Sequence, residues 1–344
     1  MTTPIRFCLV GAGRVGKIHA GTLTRYLPAA RLVAIVDPIA EARQAASSQF
    51  NLEHTFASME EALDKVDFEA VLITTPTFSH RSLAVMAAAR GKHIFLEKPM
   101  ALSLEECDDI LRAVRKGGVL LQLGFMRRFD PEFAAAAQRI QAGEIGQPMM
   151  IKSLTHGPGL PPAWARDLQT SNGMLAEVNS HDWDTVRWLV GSDFTRVYTE
   201  VANLKGPTLG VDTPDFYDNA LVNIRFENNA LGMISGICPC GYGYDARVEI
   251  YGELGILQIG ELQGQAVVIC TDRDKGLVTP IYRTWPERFA WGYINELEHF
   301  IQAIQNDTAP KVGGVEGRWA VAGVLAATRS FQEQRPVWLR EILC

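Results

Sequence analysis

The chain has 344 residues, 21% charged and 47% hydrophobic, which suits a globular protein of two cores rather than one. A net charge of −6 with no basic stripe argues against nucleic acid as the main partner. No apolar run reaches membrane-spanning length, and Met1–Arg6 leads straight into a strand without a signal-peptide core, so a cytoplasmic protein with no membrane partner is expected.

Ile5–Val10 is a short apolar run, read as a buried strand, and Gly11-Ala12-Gly13-Arg14-Val15-Gly16 follows at once. A helix comes next, and a second apolar run, Arg31–Val36, ends in Asp37. Each part has its own task in holding a dinucleotide. Gly11 permits a tight turn, Gly13 lets backbone approach a pyrophosphate, and Gly16 lets the helix pack closely on its strand. The free N–H groups around Arg14 and Val15, at the helix start, would hold the phosphate charge. Asp37 would accept hydrogen bonds from a ribose diol and repel a 2′-phosphate, favouring NAD over NADP. Pro38 is next, and no Arg or Ser adjoins Asp37 to receive that phosphate.

Further along, Glu41–Gln49 and Ser58–Asp64 read as helices and Ala70–Thr74 as a buried strand. Ser79–Arg90 is a helix capped by Ser79 and stopped by Gly91. His93–Leu96 is a strand, Ser103–Lys116 a helix with Glu106 three residues after the Ser103 cap, and Val119–Leu123 a strand. Repeated βα units imply a Rossmann-type, doubly wound parallel sheet over residues 1–124. Ligands bind such sheets beyond the carboxyl ends of the strands, so the loops at 11–16, 75–80 and 97–100 are expected to face one crevice.

From 125 to 344 the pattern changes. Asp130–Ala142 is a helix, Pro148–Thr155 an extended segment, and Met174–Leu189 a helix ended near Gly191. Strand-like segments follow at 216–226, 229–238 and 245–251, with hairpin turns expected at Asn228-Asn229 and Gly252–Gly255. Arg288–Gln305 and Val315–Glu333 read as terminal helices. The fold class is therefore α/β, with a C-terminal α+β domain on a large, mostly antiparallel, open sheet. Helices are too few to cover that sheet, so burial against another copy is expected, as a homodimer or homotetramer. Of the six cysteines only Cys238 and Cys240 stand close, and neither these nor the seven histidines show metal-ligand spacing. Reduced thiols and no metal are expected.

Chemistry-bearing side chains fall at two places. Glu97-Lys98-Pro99 directly follows the strand His93–Leu96, where a cofactor's reactive end should arrive. Lysine there could bind a hydroxyl oxygen and help its proton leave, and the proline can fix the loop, sometimes through a cis bond. A surface lysine in a turn is the plain alternative, and spacing alone does not separate the two. Glu177 and His181 stand four apart on one predicted helix and so share a face. A carboxylate orients an imidazole and stabilises its charged form, which suits a proton acceptor. The plain alternative is a solvated pair or a structural histidine. Gly173 ahead of the pair, and a face continuing through Thr185 and Trp188, weigh against it.

Together these segments resemble the glucose–fructose oxidoreductase/inositol dehydrogenase family, Gfo/Idh/MocA, nearly end to end. Gly11–Gly16 resembles its cofactor loop, Thr75-Pro76 through His80 its second cofactor loop, Glu97-Lys98-Pro99 its hallmark, and His181–Gly191 its catalytic helix. Within the family, Gly124–Asp130, Gly241–Asp245 and Glu287–Tyr293, the last followed by Glu296 and Phe300, resemble the inositol 2-dehydrogenases. The resemblance implies a catalytic set of Lys98, His181 and Glu177, with Glu177 where the family commonly has aspartate. It implies NAD held by the residues above together with Thr75, Pro76, His80, Glu97 and Lys98. The reaction implied is oxidation of a secondary CH–OH of a cyclic polyol, myo-inositol to 2-keto-inositol in first place. Polyol hydroxyls need several buried polar partners. Candidates are Lys98, Arg127, His156, Asn179, His181, Asp182, Tyr244 and Tyr293. Alternatives that remain open are an NAD(P)-dependent dehydrogenase of an aldose or sugar acid, a lyase or hydrolase working through transient oxidation, and a dinucleotide-binding regulator without catalysis.

Overall fold

Short apolar runs bounded by turn residues become the parallel strands of the first half. The computed structural model describes residues 3–211, 215–264, 269–270, 277–278 and 280–343. In it β1 (Ile5–Val10), α1 (Arg14–Tyr26), β2 (Ala30–Val36), α2 (Ala40–Phe50), β3 (Thr55–Phe56) and α3 (Met59–Lys65) come first. They are followed by β4 (Ala70–Ile73), α4 (His80–Ala89), β5 (His93–Leu96), α5 (Leu104–Gly117) and β6 (Leu121–Leu123). The sheet order is β3-β2-β1-β4-β5-β6, parallel throughout. β4 is buried at every residue, as a central strand covered on both faces must be. The chain winds outward from β1 in both directions, so the loops after β1 and β4 flank the switch point where ligands of such sheets bind.

Capping chemistry explains some boundaries and corrects one. Ser103 accepts the Glu106 N–H at 3.2 Å while Glu106 accepts the Leu102 N–H at 2.9 Å, which starts α5 as expected. Ser79 does not cap α4. It ends a single 3₁₀ turn, Thr77–Ser79, and its hydroxyl donates to Thr75 Oγ1 and the Pro76 carbonyl, both at 2.7 Å.

The second half begins with α6 (Pro131–Gln141), β7 (Pro148–His156), and the short helices α7 (Ala163–Arg166), α8 (Leu168–Ser171) and α9 (Met174–Glu177). Then come α10 (Ser180–Val190), β8 (Phe194–Ala202), β9 (Asn219–Phe226), β10 (Leu231–Ile237), β11 (Asp245–Gly252) and β12 (Ile256–Ile259). The rest is β13 (Ile269–Cys270), β14 (Leu277–Val278), α11 (Trp285–Arg288), α12 (Ala290–Asn306), α13 (Gly314–Glu333), β15 (Val337–Trp338) and α14 (Arg340–Leu343). Seven strands form one sheet in the order β12-β11-β7-β10-β9-β8-β15, and β7 with β10 is its single parallel pair among the described residues. α10 packs on β7 and β10. Alternation is plain on β9 and β10: Val222, Ile224 and Ile234 are buried, while Leu221 and Leu231 on the other face are 51% and 46% exposed.

Two compact units result, Met1–Asp130 with Trp291–Val321, and Pro131–Ala290 with Ala322–Cys344. These packing units differ from a contiguous division at 124/125, since residues 125–130 and 291–321 pack with the parallel sheet. The physical reason lies in α12. Its buried Leu297, Phe300 and Ile301 join Phe7, Leu9, Leu72 and Phe95 in one core, with Phe300 packed on the rings of Phe7 and Phe95.

Candidate functional site

The loop after β1 is shaped by what a side chain would hit. Gly11 has φ +100° and lies so close to the 74–75 backbone that a Cβ would sit 2.8 Å from the Thr74 carbonyl. A Cβ on Gly16 would stand 2.0 Å from the Gly11 oxygen, so the helix can approach its strand only with glycine there. Over Gly13 a Cβ would meet nothing within 4 Å, and α1 has no side-chain cap at this end. The space above Gly13 is open, Gly13 and Arg14 are exposed, and half-buried Val15 lies behind them at the start of α1. This is what a pyrophosphate needs.

Asp37 closes the same loop. It is 8% exposed, with Oδ2 accepting the Ala12 N–H at 2.8 Å and Oδ1 the Ile39 N–H at 2.9 Å. Each carboxylate oxygen has room for a second donor, so a ribose diol can still be received. Sequence inspection of the immediate neighbours missed Arg43, which from the first turn of α2 reaches back to donate to the Asp37 carbonyl at 2.6 Å. The residues present fit NAD.

Beyond β4 and β5 the second and third loops are tied together. His80 places Nε2 2.9 Å from the Thr75 carbonyl and Nδ1 2.8 Å from that of Pro99. Burial holds its pKa below the usual range against the pull of both carbonyls. His80 is thus a staple between the half-buried Thr75-Pro76 turn and the Lys98–Pro99 loop, whose peptide bond is cis. Lys98 is half-buried. Glu97 is turned inward, 6% exposed, and accepts from His19 Nε2 at 2.7 Å and from the Lys98 N–H at 3.1 Å. Arg127, on the 3₁₀ turn Met126–Phe129, is 1% exposed, and Tyr293 of α12 packs edge-on against His19 at 5.4 Å. All of these residues lie in the first unit.

The second unit carries Glu177 and His181, but not on one helix. Glu177 ends α9, Val178 and Asn179 interrupt the helical run, and His181 is the second residue of α10. The residue that organises the break is Asn179, fully buried, whose Nδ2 donates to Asp182 at 2.8 Å. Gly236 makes room for it, since a Cβ there would stand 2.2 Å from Asn179 Oδ1. Asp182 also accepts from Ser153 at 2.5 Å and Thr155 at 2.6 Å, two hydroxyls that sequence inspection missed. Asp182 therefore anchors α10 to β7, with His181 beside it and 6% exposed. Glu177 is half-buried.

His156 is not brought to that cluster. It ends β7 one residue after Thr155, so period-2 alternation gives it the opposite face of the sheet. There its ring meets the Tyr242 hydroxyl at 2.5 Å and Ser235 Oγ at 3.1 Å, with Asp245 behind, itself gripped by Arg247 at 2.7 and 2.8 Å. Burial lowers the His156 pKa against the attraction of Asp245 and Asp182. Tyr244 is 5% exposed and stands edge-on to Phe289 at 6.1 Å. Cys8, Cys107, Cys238 and Cys240 are buried thiols outside any disulfide.

Two family descriptions match this architecture. Residues 5–125 match an oxidoreductase family with an NAD-binding Rossmann fold, and residues 137–339 match the C-terminal alpha/beta domain of the same family. A scyllo-inositol 2-dehydrogenase (NAD(+)) of Bacillus subtilis is 35% identical over 98% of this chain and 97% of its own length. An inositol 2-dehydrogenase of Rhizobium meliloti is 34% identical over 97% and 98%. The solved structure of scyllo-inositol dehydrogenase from Lactobacillus casei with bound NAD(H) and scyllo-inositol superposes with TM-score 0.90 at 25% identity, covering 98% of this chain and all of that one. The chain belongs to the Gfo/Idh/MocA oxidoreductase family, an NAD-binding Rossmann domain joined to that family's C-terminal α/β domain.

Proposed function

We propose that this protein oxidises one secondary hydroxyl of an inositol to the ketone, with NAD as the acceptor. The observation that carries this reading is the nearly end-to-end likeness to inositol 2-dehydrogenases, which covers 97–98% of the chain. Bound NAD supplies the hydride acceptor. The chain's own residues do the rest. His181 Nε2 takes the hydroxyl proton, and the Lys98 ammonium binds the same oxygen and favours alkoxide-like charge on it. Glu177, with a longer reach than aspartate, orients His181 or holds a neighbouring substrate hydroxyl. Asp182, anchored by Ser153, Thr155 and Asn179, fixes the helix that carries His181. Glu97 and His80 support the loop that presents Lys98. Arg127, Tyr244 and Tyr293 are proposed for the remaining hydroxyls.

The protein is further proposed to work in the cytoplasm, in keeping with its buried, undisulfided cysteines, and as a homodimer or homotetramer through the open sheet face. The test of the function is NADH absorbance with a panel of myo-inositol, scyllo-inositol, glucose, xylose and the sugar acids. Turnover with an inositol is expected to exceed that with any sugar. Activity confined to glucose or xylose would contradict the assignment. Both inositols belong in the panel because the Bacillus relative is named for the scyllo isomer.

A further inference from the structure

The first unit buries a second carboxylate close to Glu97, and the scheme above gives it no task. His19 of α1, Glu97 after β5 and Glu296 of α12 place ring and carboxylate atoms within 4.8 Å of one another. The three side chains are 0%, 6% and 0% exposed. Glu97 is fully engaged by His19 and by the Lys98 N–H. Glu296 is not: neither of its carboxylate oxygens has a hydrogen-bond partner, and neither has Gln122 Oε1 beside it, although Gln122 Nε2 donates to the Glu296 main-chain carbonyl at 2.7 Å. The rings of Phe95 and Tyr293 flank His19 at 5.0 and 5.4 Å. Two carboxylates so close in a dry interior cannot both carry charge. The titratable groups bearing on Glu296 are His19 from α1 and Glu97 from the end of β5, while β6 offers only the uncharged Gln122. Lys98 acts on Glu97 in turn, and the Glu97 charge acts on His80.

We propose that Glu296 keeps its proton through neutral pH and is a positioning residue: as a neutral acid it lets Glu97 remain a carboxylate, and Glu97 then holds the main chain at Lys98. Burial first, and the Glu97 charge second, push the Glu296 pKa well above the carboxylate range. Burial raises Glu97 as well, but the His19 hydrogen bond and charge, with the Lys98 contacts, outweigh it and leave Glu97 below the usual value. When alkaline pH removes the Glu296 proton, the new anion repels Glu97 and loosens its grip on the Lys98 loop.

The catalytic part rests on the proposed role of Lys98, whereas the protonation state does not, so two readouts separate them. The first is the infrared difference between the native protein and Glu296→Gln at neutral pH, expected to show a protonated-carboxyl C=O band that shifts in D2O and is missing from the variant. The same band should titrate away in the native protein at alkaline pH, which serves if the variant folds poorly. The second is the pH profile of kcat, whose alkaline descending limb is expected to be lost in Glu296→Gln. A difference spectrum showing only carboxylate bands, or a stoichiometric metal ion in the purified protein, would overturn the proton assignment. A present band with an unaltered kcat limb would overturn the positioning role. A present band in a protein that turns over no inositol would leave the buried acid standing and remove the proposed function instead.

Discussion

Asp37 meets its ligand already fixed, because two main-chain N–H groups hold its oxygens before any ribose arrives. A charge-assisted hydrogen bond is worth about 1.5–3 kcal/mol, so losing the carboxylate should cost roughly 10- to 150-fold in kcat/KM with NAD. Asp37→Ser is expected to show that loss and to gain use of NADP, since the repelling charge goes and Arg43 lies within reach of the vacated place. Steady-state kinetics with both cofactors decides it, and an unchanged preference would remove Asp37 from cofactor choice. At Glu296 the sign of pH dependence is fixed by a raised folded-state pKa. Its contribution is fully present below the unfolded value of ~4.3 and is lost as pH rises toward the folded value, at about 1.4 kcal/mol per pH unit in between. The Tm advantage of Glu296→Gln over the native protein should therefore widen as pH is raised above ~4.3, and a constant difference across pH would contradict a buried neutral acid. Motif spacing made Asp37, Lys98 and His181 legible as site candidates. Arg43, Ser153, Thr155 and Glu296 were not, because each acts through a contact across elements that no local pattern encodes.

Elements follow from local chemistry where one residue type is forced. The β1–α1 turn is such a place, since any side chain at Gly16 would collide with the Gly11 carbonyl, a fixed main-chain atom. Gly16→Ala should destabilise the protein by about 1–3 kcal/mol and weaken NAD binding, read from denaturant midpoints and cofactor titration. A variant as stable as the native chain would mean that α1 can shift away from β1 freely. The parallel strands were readable from length and continuous burial, and the α5 cap from Ser103 and Glu106. The interruption at Val178 and Asn179 was not. The apolar period runs through it, and the break is set by Asn179 turning toward Asp182 and into the space over Gly236. Tertiary contact overrides a locally helical pattern there.

For the molecule as a whole, the sequence announces two folds but not where the chain returns. α12 reads as a C-terminal amphipathic helix, and the packing of Phe300 on Phe7 and Phe95, with Leu297 and Ile301 in the same core, assigns it to the parallel-sheet unit. The half-exposed Leu221, Leu231 and Ile256 on one face of the seven-stranded sheet argue for burial against a second copy. Light scattering at micromolar concentration should give a dimer or tetramer mass, and a monomer would contradict the assembly. The central claim is that Lys98 and His181 serve one carbinol carbon in a single step. The kcat of Lys98→Met, His181→Ala and the double variant with inositol and NAD tests this most directly, because groups acting as a unit are not additive. Each single change should lower kcat by roughly 10²–10⁴-fold with NAD affinity retained, and the double variant should fall little further. Losses that multiply in the double variant, or a single variant that keeps full turnover, would contradict it.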